Sequence, residues 1–163
     1  MPDKKTVAWK CLGIFLWLLW AVPAARGAEP SLVSGQTIYV PVYSHIYGGD
    51  KEMPFNLTVT LSIRNIDPKQ AIRVTLVDYY DSDGHLIRNY LEKPVDLNAM
   101  ASLRYVVAQS DRKGGSGANF LVKWESDPAV NPPVVESIMI GTNMQQGISF
   151  TSRGQVILPN AKD

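Results

Sequence analysis

The chain has 163 residues, of which 45% are hydrophobic and 19% are charged, with 16 Lys or Arg residues against 15 Asp or Glu residues. This near-neutral balance, without any run of basic residues, argues against binding to nucleic acid or to a membrane surface through clustered positive charge. Cys11 is the only cysteine and lies in a segment that we expect to be removed, so the mature chain would have no disulfide and no cysteine metal ligand.

The N-terminal segment, residues 1–27, has the pattern of a secretory signal peptide. Three lysines precede an apolar run from Cys11 to Val22, and small residues follow it. Ala25 and Gly27 fit the minus-three and minus-one positions of a cleavage site before Ala28. The apolar run is shorter than the about 20 residues that a membrane-spanning helix needs. We therefore expect an exported protein, periplasmic or extracellular, without a stable membrane span after cleavage; the alternative is an uncleaved helix that anchors the protein in the inner membrane.

Residues 28–163 are expected to form one domain, with an ordered core at about 36–158. The first predicted strand alternates around Ile38 and continues to Tyr47, and Pro41 indicates an edge position because proline cannot donate a hydrogen bond to a neighbouring strand. The clearest strand signal follows at Phe55–Asp67, where apolar and polar residues alternate with a period of two. The rest of the domain is expected to cover the apolar face of that strand.

The next predicted strand begins at Ile72, and its alternation changes phase near Val77. A β-bulge at this point would allow Val77 and Tyr79 to be buried without burying Asp78. The sequence Asp81–Gly84 then predicts a hairpin turn, after which the return strand follows.

The remaining segments show the same alternation. Strands are predicted around Val95–Leu97, Leu103–Val107, Phe120–Trp124 and Val134–Ile140, and Ile148–Leu158 is predicted to be a last strand or a pair of strands, interrupted at Ser152–Gly154. A flexible glycine-rich loop is predicted at Asp111–Gly117 and a connection at Asp127–Pro133. Roughly eight short strands without a helical period predict an all-β domain, an antiparallel β-sandwich of the immunoglobulin or fibronectin III type. The alternative is a small open barrel.

The sequence motifs that could indicate metal binding, phosphate binding or catalysis are incomplete. The segment YYDSDG, which begins at Tyr79, is similar to the first half of a twelve-residue calcium loop. Tyr79 and Tyr90 would occupy the first and twelfth positions of that loop, where carboxylates are needed. Ser116 lies in a glycine-rich stretch, but the Lys-Ser/Thr pair of a phosphate-binding loop does not follow it. The last glycine of the G-x-S-x-G motif of a nucleophile elbow is also missing. We therefore predict no catalytic residue, no metal site and no cofactor.

Several longer stretches resemble a known family. YVPVYSHIYGGD, FNLTVTLSIRNID, VDYYDSDGHLIRNYLEKP, GGSGANFLVKW and MIGTNMQQGISFTSRG are similar to the bacterial domain-of-unknown-function family numbered three-one-two-four. The resemblance spans essentially the whole mature chain. It implies a small exported bacterial protein and gives no activity, ligand or site residue.

Two functional hypotheses follow. The first is a non-catalytic binding or structural module of the cell envelope, whose partner is an envelope protein or a glycan; its oligomeric state is open. The second is a small periplasmic hydrolase or ligand-processing enzyme with a site built from loop residues around His45 and Ser116, drawing also on Asp50 or Asp83. Candidate binding residues are the aromatic stripe Tyr43, His45 and Tyr47 and the late polar residues Asn119, Asn143, Gln145, Gln146, Ser152 and Arg153.

Overall fold

A computed structural model describes residues 31–143 and 146–157. The described part is built from strands, joined by turns and one short 3-10 turn at Gly115–Gly117. The strands are β1 Val33–Pro41, β2 His45–Gly48, β3 Met53–Asn56, β4 Thr58–Arg64, β5 Ile72–Tyr80, β6 Leu86–Asn89, β7 Val95–Leu97, β8 Ser102–Val107, β9 Asn119–Val130, β10 Val134–Asn143, β11 Gln146–Arg153 and β12 Gln155–Ile157.

Two antiparallel sheets form the domain, and a third small sheet caps one end. The six-stranded sheet has the order β12-β1-β9-β5-β6, with β7 also paired to β5, and the four-stranded sheet has the order β11-β10-β4-β8. The hairpin of β2 and β3 is the small sheet. The sheets do not close into a barrel, so the prediction of an all-β antiparallel sandwich is confirmed and the open-barrel alternative is not.

The core lies between the two large sheets. The inward-facing residues of β4 and its lead-in, Leu57, Val59, Leu61 and Ile63, are all fully buried, as the alternation predicted. Phe120, Val122 and Trp124 of β9 cover them from the opposite sheet and are equally buried. Burying each such side chain contributes about 1.5–3 kcal/mol, which makes the paired apolar faces the main source of stability.

Two predictions about the first strand are wrong. β1 is not an edge strand, because it pairs with β9 on one side and β12 on the other. The ladder to β12 covers only Thr37–Tyr39, so Pro41 lies beyond it and its missing N–H group interrupts no hydrogen bond there. Nor does β1 continue to Tyr47: the chain bends at Ser44, and the next residues form the separate strand β2.

The predicted bulge in β5 is confirmed. The register between β5 and β9 shifts between Val74 and Leu76, and both Val77 and Tyr79 are buried. Asp78 is nevertheless buried as well, on the opposite face of the strand. Its carboxylate accepts a hydrogen bond from Asn89 Nδ2 at 2.8 Å, which offsets part of the cost of burial.

The two large sheets are joined along one side by a strand pair that changes sheet. β11 belongs to the four-stranded sheet, and after Gly154 the chain continues as β12 in the six-stranded sheet. Gly154 N donates to Val135 O at 2.9 Å, and a Cβ at residue 154 would lie 2.5 Å from Ile38 Cγ2. The crossing therefore depends on a residue without a side chain.

Some predictions fall on residues outside the described ranges. They are the signal peptide at 1–27 with its cleavage site, Leu158, Gln145, and the side chains of Asn143 and Gln146. Within residues 31–143 and 146–157, no helix is long and apolar enough to cross a bilayer.

Candidate binding surface

The aromatic stripe predicted on the first strand is divided in the structure. His45 Nε2 and the hydroxyl of Tyr47 are 3.0 Å apart, and the two rings meet edge to face at 5.1 Å between centroids. Tyr43 instead contacts Phe150 of β11, with ring centroids 5.8 Å apart. Since His45 is only 8% exposed, Tyr47 is the member of the stripe that a partner would meet.

The residues of the predicted hydrolase site are not joined into a catalytic set. Within the described ranges, His45 makes a side-chain hydrogen bond to Tyr47 and none to a carboxylate, and its Nδ1 atom is buried without a partner. The nearest serine in sequence, Ser44, bonds through its hydroxyl to Tyr79 OH at 3.0 Å. A general base needs both an orienting acid and a hydroxyl within reach, and His45 has only the hydroxyl.

The second half of the glycine-rich loop, Gly114–Gly117, is held by hydrogen bonds to residues distant in sequence. The Gly114 carbonyl accepts hydrogen bonds from the backbone N and the Oγ of Ser82, each at 3.0 Å, and Ser44 N donates to Gly115 O at 3.0 Å. Gly117 N donates in turn to Ser82 Oγ at 2.9 Å. The glycines let the loop approach its neighbours closely. Asn119 follows the loop and is the first residue of β9.

The hairpin turn between β5 and β6 brings together the side chains of Asp81, Asp83 and His85, whose ligand atoms lie within 4.8 Å of one another. The Asp81 carboxylate already accepts hydrogen bonds from His85 N at 2.8 Å and Asp83 N at 2.9 Å. These backbone donors, His85 first, lower the pKa of Asp81. The turn's own backbone thus accounts for the position of the carboxylate.

The late polar segments lie at different places along the sandwich. Gly147 pairs with Thr142 at one end of the β10–β11 hairpin, and Arg153 pairs with Glu136 near the other. Arg153 is six residue steps along β11 from Gly147, or about 20 Å. The backbone of Asn143 and Gln146 lies toward the first end, whereas Ser152 and Arg153 lie toward the second. Asn119 belongs to the other sheet, where it pairs with Pro41 of β1 and Tyr80 of β5. The segments therefore do not converge on one site.

Arg153 instead belongs to a row of charged side chains across the outer face of the four-stranded sheet. Arg104 pairs with Ser62, Ser62 pairs with Glu136, and Glu136 pairs with Arg153, so that one residue from each of the four strands stands in register. Arg64 joins this row from the next outward position of β4: its Nε atom donates to Ser62 Oγ at 3.1 Å and lies 3.8 Å from Glu136 Oε1. We call these residues the arginine row: Ser62, Arg64, Arg104, Glu136 and Arg153.

The arginine row carries a net positive charge. It has three arginines and a single carboxylate, and within residues 31–143 and 146–157 only Arg64 among the three has its guanidinium group within 4.0 Å of that carboxylate. Ser62 faces outward yet is only 6% exposed, because the longer side chains cover it. Strands lie about 4.8 Å apart, so the row extends across about 14 Å of the sheet.

Apolar side chains flank the arginine row. Val106 of β8 and Ile140 of β10 are 48% and 49% exposed, and Val134 on the other side of the row is 37% exposed. Ile138 lies between these positions, half-buried, in register with Thr60 and Thr151. We call Val106, Val134, Ile138 and Ile140 the apolar stripe. Sequence reasoning identified Arg153 but missed Arg64, Arg104 and Glu136, because alternation shows which face a residue takes and not which strands are neighbours.

Comparisons with known proteins place the chain in a family but not in a functional class. The family described as "Protein of unknown function (DUF3124)" matches residues 35–157. No curated protein matches the chain. A solved structure described as "Crystal Structure of Thermotoga maritima 1070" is 12% identical over 74% of this chain and 92% of that one, with a TM-score of 0.45. That likeness is too weak to support a conclusion.

Proposed function

We propose that this chain, which belongs to the DUF3124 family of proteins of unknown function, is an exported, non-catalytic binding module of the bacterial cell envelope. The outer face of the four-stranded sheet is its binding surface. The observation that carries the proposal is the apolar stripe lying beside the arginine row on one face. The N-terminal pattern of charged, apolar and small residues supports export.

The composition of this face is that of a protein interface. Apolar side chains that stand singly on a surface are ordinary, but several that lie together beside charged residues mark interaction sites. Arginine is among the residues enriched in interfaces, because its flat guanidinium group binds acceptors and also packs against apolar neighbours.

The alternative of a hydrolase has less support from the geometry. His45 contacts the hydroxyl of Tyr47, but within residues 31–143 and 146–157 it has no carboxylate partner that would orient it as a base. Its ring is also nearly buried, which restricts access by a substrate.

Export is tested by isolating the protein from its producing cells and measuring its intact mass and N-terminal sequence. We expect a soluble protein that begins at or near Ala28. Recovery of the full-length chain in the membrane fraction would contradict export with cleavage.

Binding is tested by capture from envelope extracts of the producing bacterium, with bound components identified by mass spectrometry. The test variant carries Val106→Asp and Ile140→Asp, which place charges in the apolar stripe. The matched control is Leu86→Asp, at a residue that is 54% exposed on the six-stranded sheet. We expect the control to retain the components captured by the parent and the test variant to lose at least one. If the test variant retains all of them, this face is not the binding surface.

A further inference from the structure

We propose that the arginine row binds the carboxylate groups of an acidic polypeptide, and that the apolar stripe holds the apolar side chains of the same partner. This inference rests on the proposed function, since it names the partner's chemistry for the same face. It adds a ligand class and a role for each charged residue in the row.

The charge distribution favours an anionic partner. Arg64, Arg104 and Arg153 contribute three positive charges to the arginine row, against the single negative charge of Glu136. Within residues 31–143 and 146–157, no carboxylate lies within 4.0 Å of the guanidinium group of Arg104 or Arg153. A guanidinium group presents its donors in a plane that matches the two oxygens of a carboxylate, so these two side chains are suited to receive such groups.

The same charge distribution disfavours a second copy of this chain as the occupant. Two copies meeting through this face would bring their arginine rows close together, and like charges across an interface oppose association. An acidic partner removes that repulsion and gains attraction instead.

The apolar stripe distinguishes an acidic polypeptide from a phosphate polymer. Val106 is one outward position from the arginine row and Ile140 is two, and both are about half-exposed. Covering them with apolar side chains would remove that area from water. A polyphosphate chain has no apolar groups to place there. Its dense charge would also meet Glu136, which stands inside the row between Ser62 and Arg153.

Substitution of Glu136 tests the proposal through the direction in which the binding affinity changes. Its carboxylate lies 3.8 Å from Arg64 Nε and competes with any incoming carboxylate for the guanidinium groups. Replacement by glutamine keeps the size of the side chain and removes the charge. If the arginine row binds carboxylates, Glu136→Gln strengthens binding, whereas most damage to a surface weakens it.

The experiment measures binding of the purified protein to a fluorescent copolymer of glutamate and tyrosine by titration at low ionic strength. We expect Arg104→Gln, Arg153→Gln and Arg64→Gln each to weaken binding by about two- to fivefold, in line with exposed ion pairs. Glu136→Gln should strengthen it by a similar factor. The matched control is Arg112→Gln, which removes the same charge from an exposed residue of the glycine-rich loop at the other end of the sandwich and should bind like the parent.

Added salt should weaken binding by the parent, because exposed charge pairs are screened at ionic strengths above about 0.1 M. The triple arginine variant should show a smaller dependence on salt. Melting temperatures of all variants are measured alongside, and values equal to that of the parent show that a change in binding does not arise from unfolding. The proposal is overturned if the three arginine variants bind like Arg112→Gln, or if Glu136→Gln weakens binding.

A second pair of probes tests the class of ligand. Poly-glutamate without tyrosine should bind more weakly than the copolymer, and the difference should disappear in the Val106→Asp, Ile140→Asp variant. Inorganic polyphosphate should bind more weakly than the copolymer. Polyphosphate that binds as tightly as the copolymer, and that is unaffected by the change to the apolar stripe, would overturn the assignment to a polypeptide.

The outcomes separate this inference from the proposed function. The arginine variants could leave copolymer binding unchanged while the apolar-stripe variant still loses an envelope component. That result would support the proposed binding surface and contradict the proposal that the arginine row binds carboxylates. If the apolar-stripe variant keeps every component, the proposed function itself fails.

Discussion

The hydroxyl of Tyr79 lies against the backbone of Gly114 so closely that a Cβ atom at residue 114 would overlap it. The same hydroxyl bonds to Ser44 Oγ at 3.0 Å, and burial raises the pKa of Tyr79. Gly114 has φ of −67° and ψ of −28°, values that any residue adopts. Close approach, and not an unusual backbone conformation, therefore requires glycine at this position.

Gly114→Ala should destabilise the protein by about 1–3 kcal/mol, because the added methyl group must displace Tyr79 or the loop. The measurement is urea denaturation. Replacing Tyr79 by Phe removes the hydroxyl that the methyl group would meet, so the double variant should lose less stability than the sum of the two single variants.

Gly48→Ala is the matched control for that substitution. No atom lies within 4 Å of a Cβ built on Gly48, and its stability should change little. Equal losses for Gly114→Ala and Gly48→Ala would contradict the close-contact explanation.

The second prediction concerns the strand at the centre of the four-stranded sheet. Leu61 of β4 is fully buried against the opposite sheet. Leu61→Ala should therefore lower the free energy of unfolding by about 2–5 kcal/mol, through lost burial and the cavity that remains. The exposed Leu86 provides the comparison: Leu86→Ala should cost much less, and similar costs would argue against the predicted core.

Much of the fold could be predicted because burial of one face imposes a two-residue period on a strand. That period identified the inward residues Leu61 and Trp124 from the sequence alone. It could not identify which strands are neighbours. β10 lies between β4 and β11, and this order, which places Arg104, Glu136 and Arg153 in one row, arises from long-range pairing that local sequence does not encode.

The glycine-rich loop shows a second limit of sequence reasoning. Its composition is typical of a flexible segment, yet Ser44 and Ser82, both distant in sequence, hold it by hydrogen bonds. Glycine has two uses, freedom of the backbone and close approach to another group, and composition does not distinguish them. The burial of Asp78 could not be predicted from its own segment either, because its hydrogen-bond partner Asn89 lies on the return strand β6.

The third prediction concerns a buried amide at the other end of the sandwich. Asn65 Nδ2 donates to three backbone carbonyls, those of Gln70, Leu97 and Asn98, at 2.8–3.1 Å. Asn65→Asp would remove both N–H donors and place carboxylate oxygens against these carbonyls. We expect a loss of about 3 kcal/mol or more in the free energy of unfolding at neutral pH.

Protonation of the new carboxyl group provides the check on that explanation. Because a protonated carboxyl can donate one hydrogen bond, part of the lost stability of Asn65→Asp should return as the pH is lowered toward 4, relative to the parent at the same pH. A deficit that stays constant over this range would mean that the carbonyl contacts are not the cause.

The last prediction is the acid dependence conferred by Asp67. Its carboxylate accepts hydrogen bonds from the backbone N–H groups of Lys69 and Gln70, each at 2.9 Å, and from Asn131, and these lower its pKa from the ordinary value of 3.8 to about 2. A carboxyl whose pKa is lower in the folded protein stabilises the fold fully above its unfolded pKa, and that contribution is lost as the pH falls through the folded value. The difference in unfolding free energy between the parent and Asp67→Asn should therefore be constant above pH 3.8 and shrink toward pH 2. Chemical denaturation at several pH values measures it. A difference for Asp67→Asn that does not change with pH would contradict the assigned role of its charge.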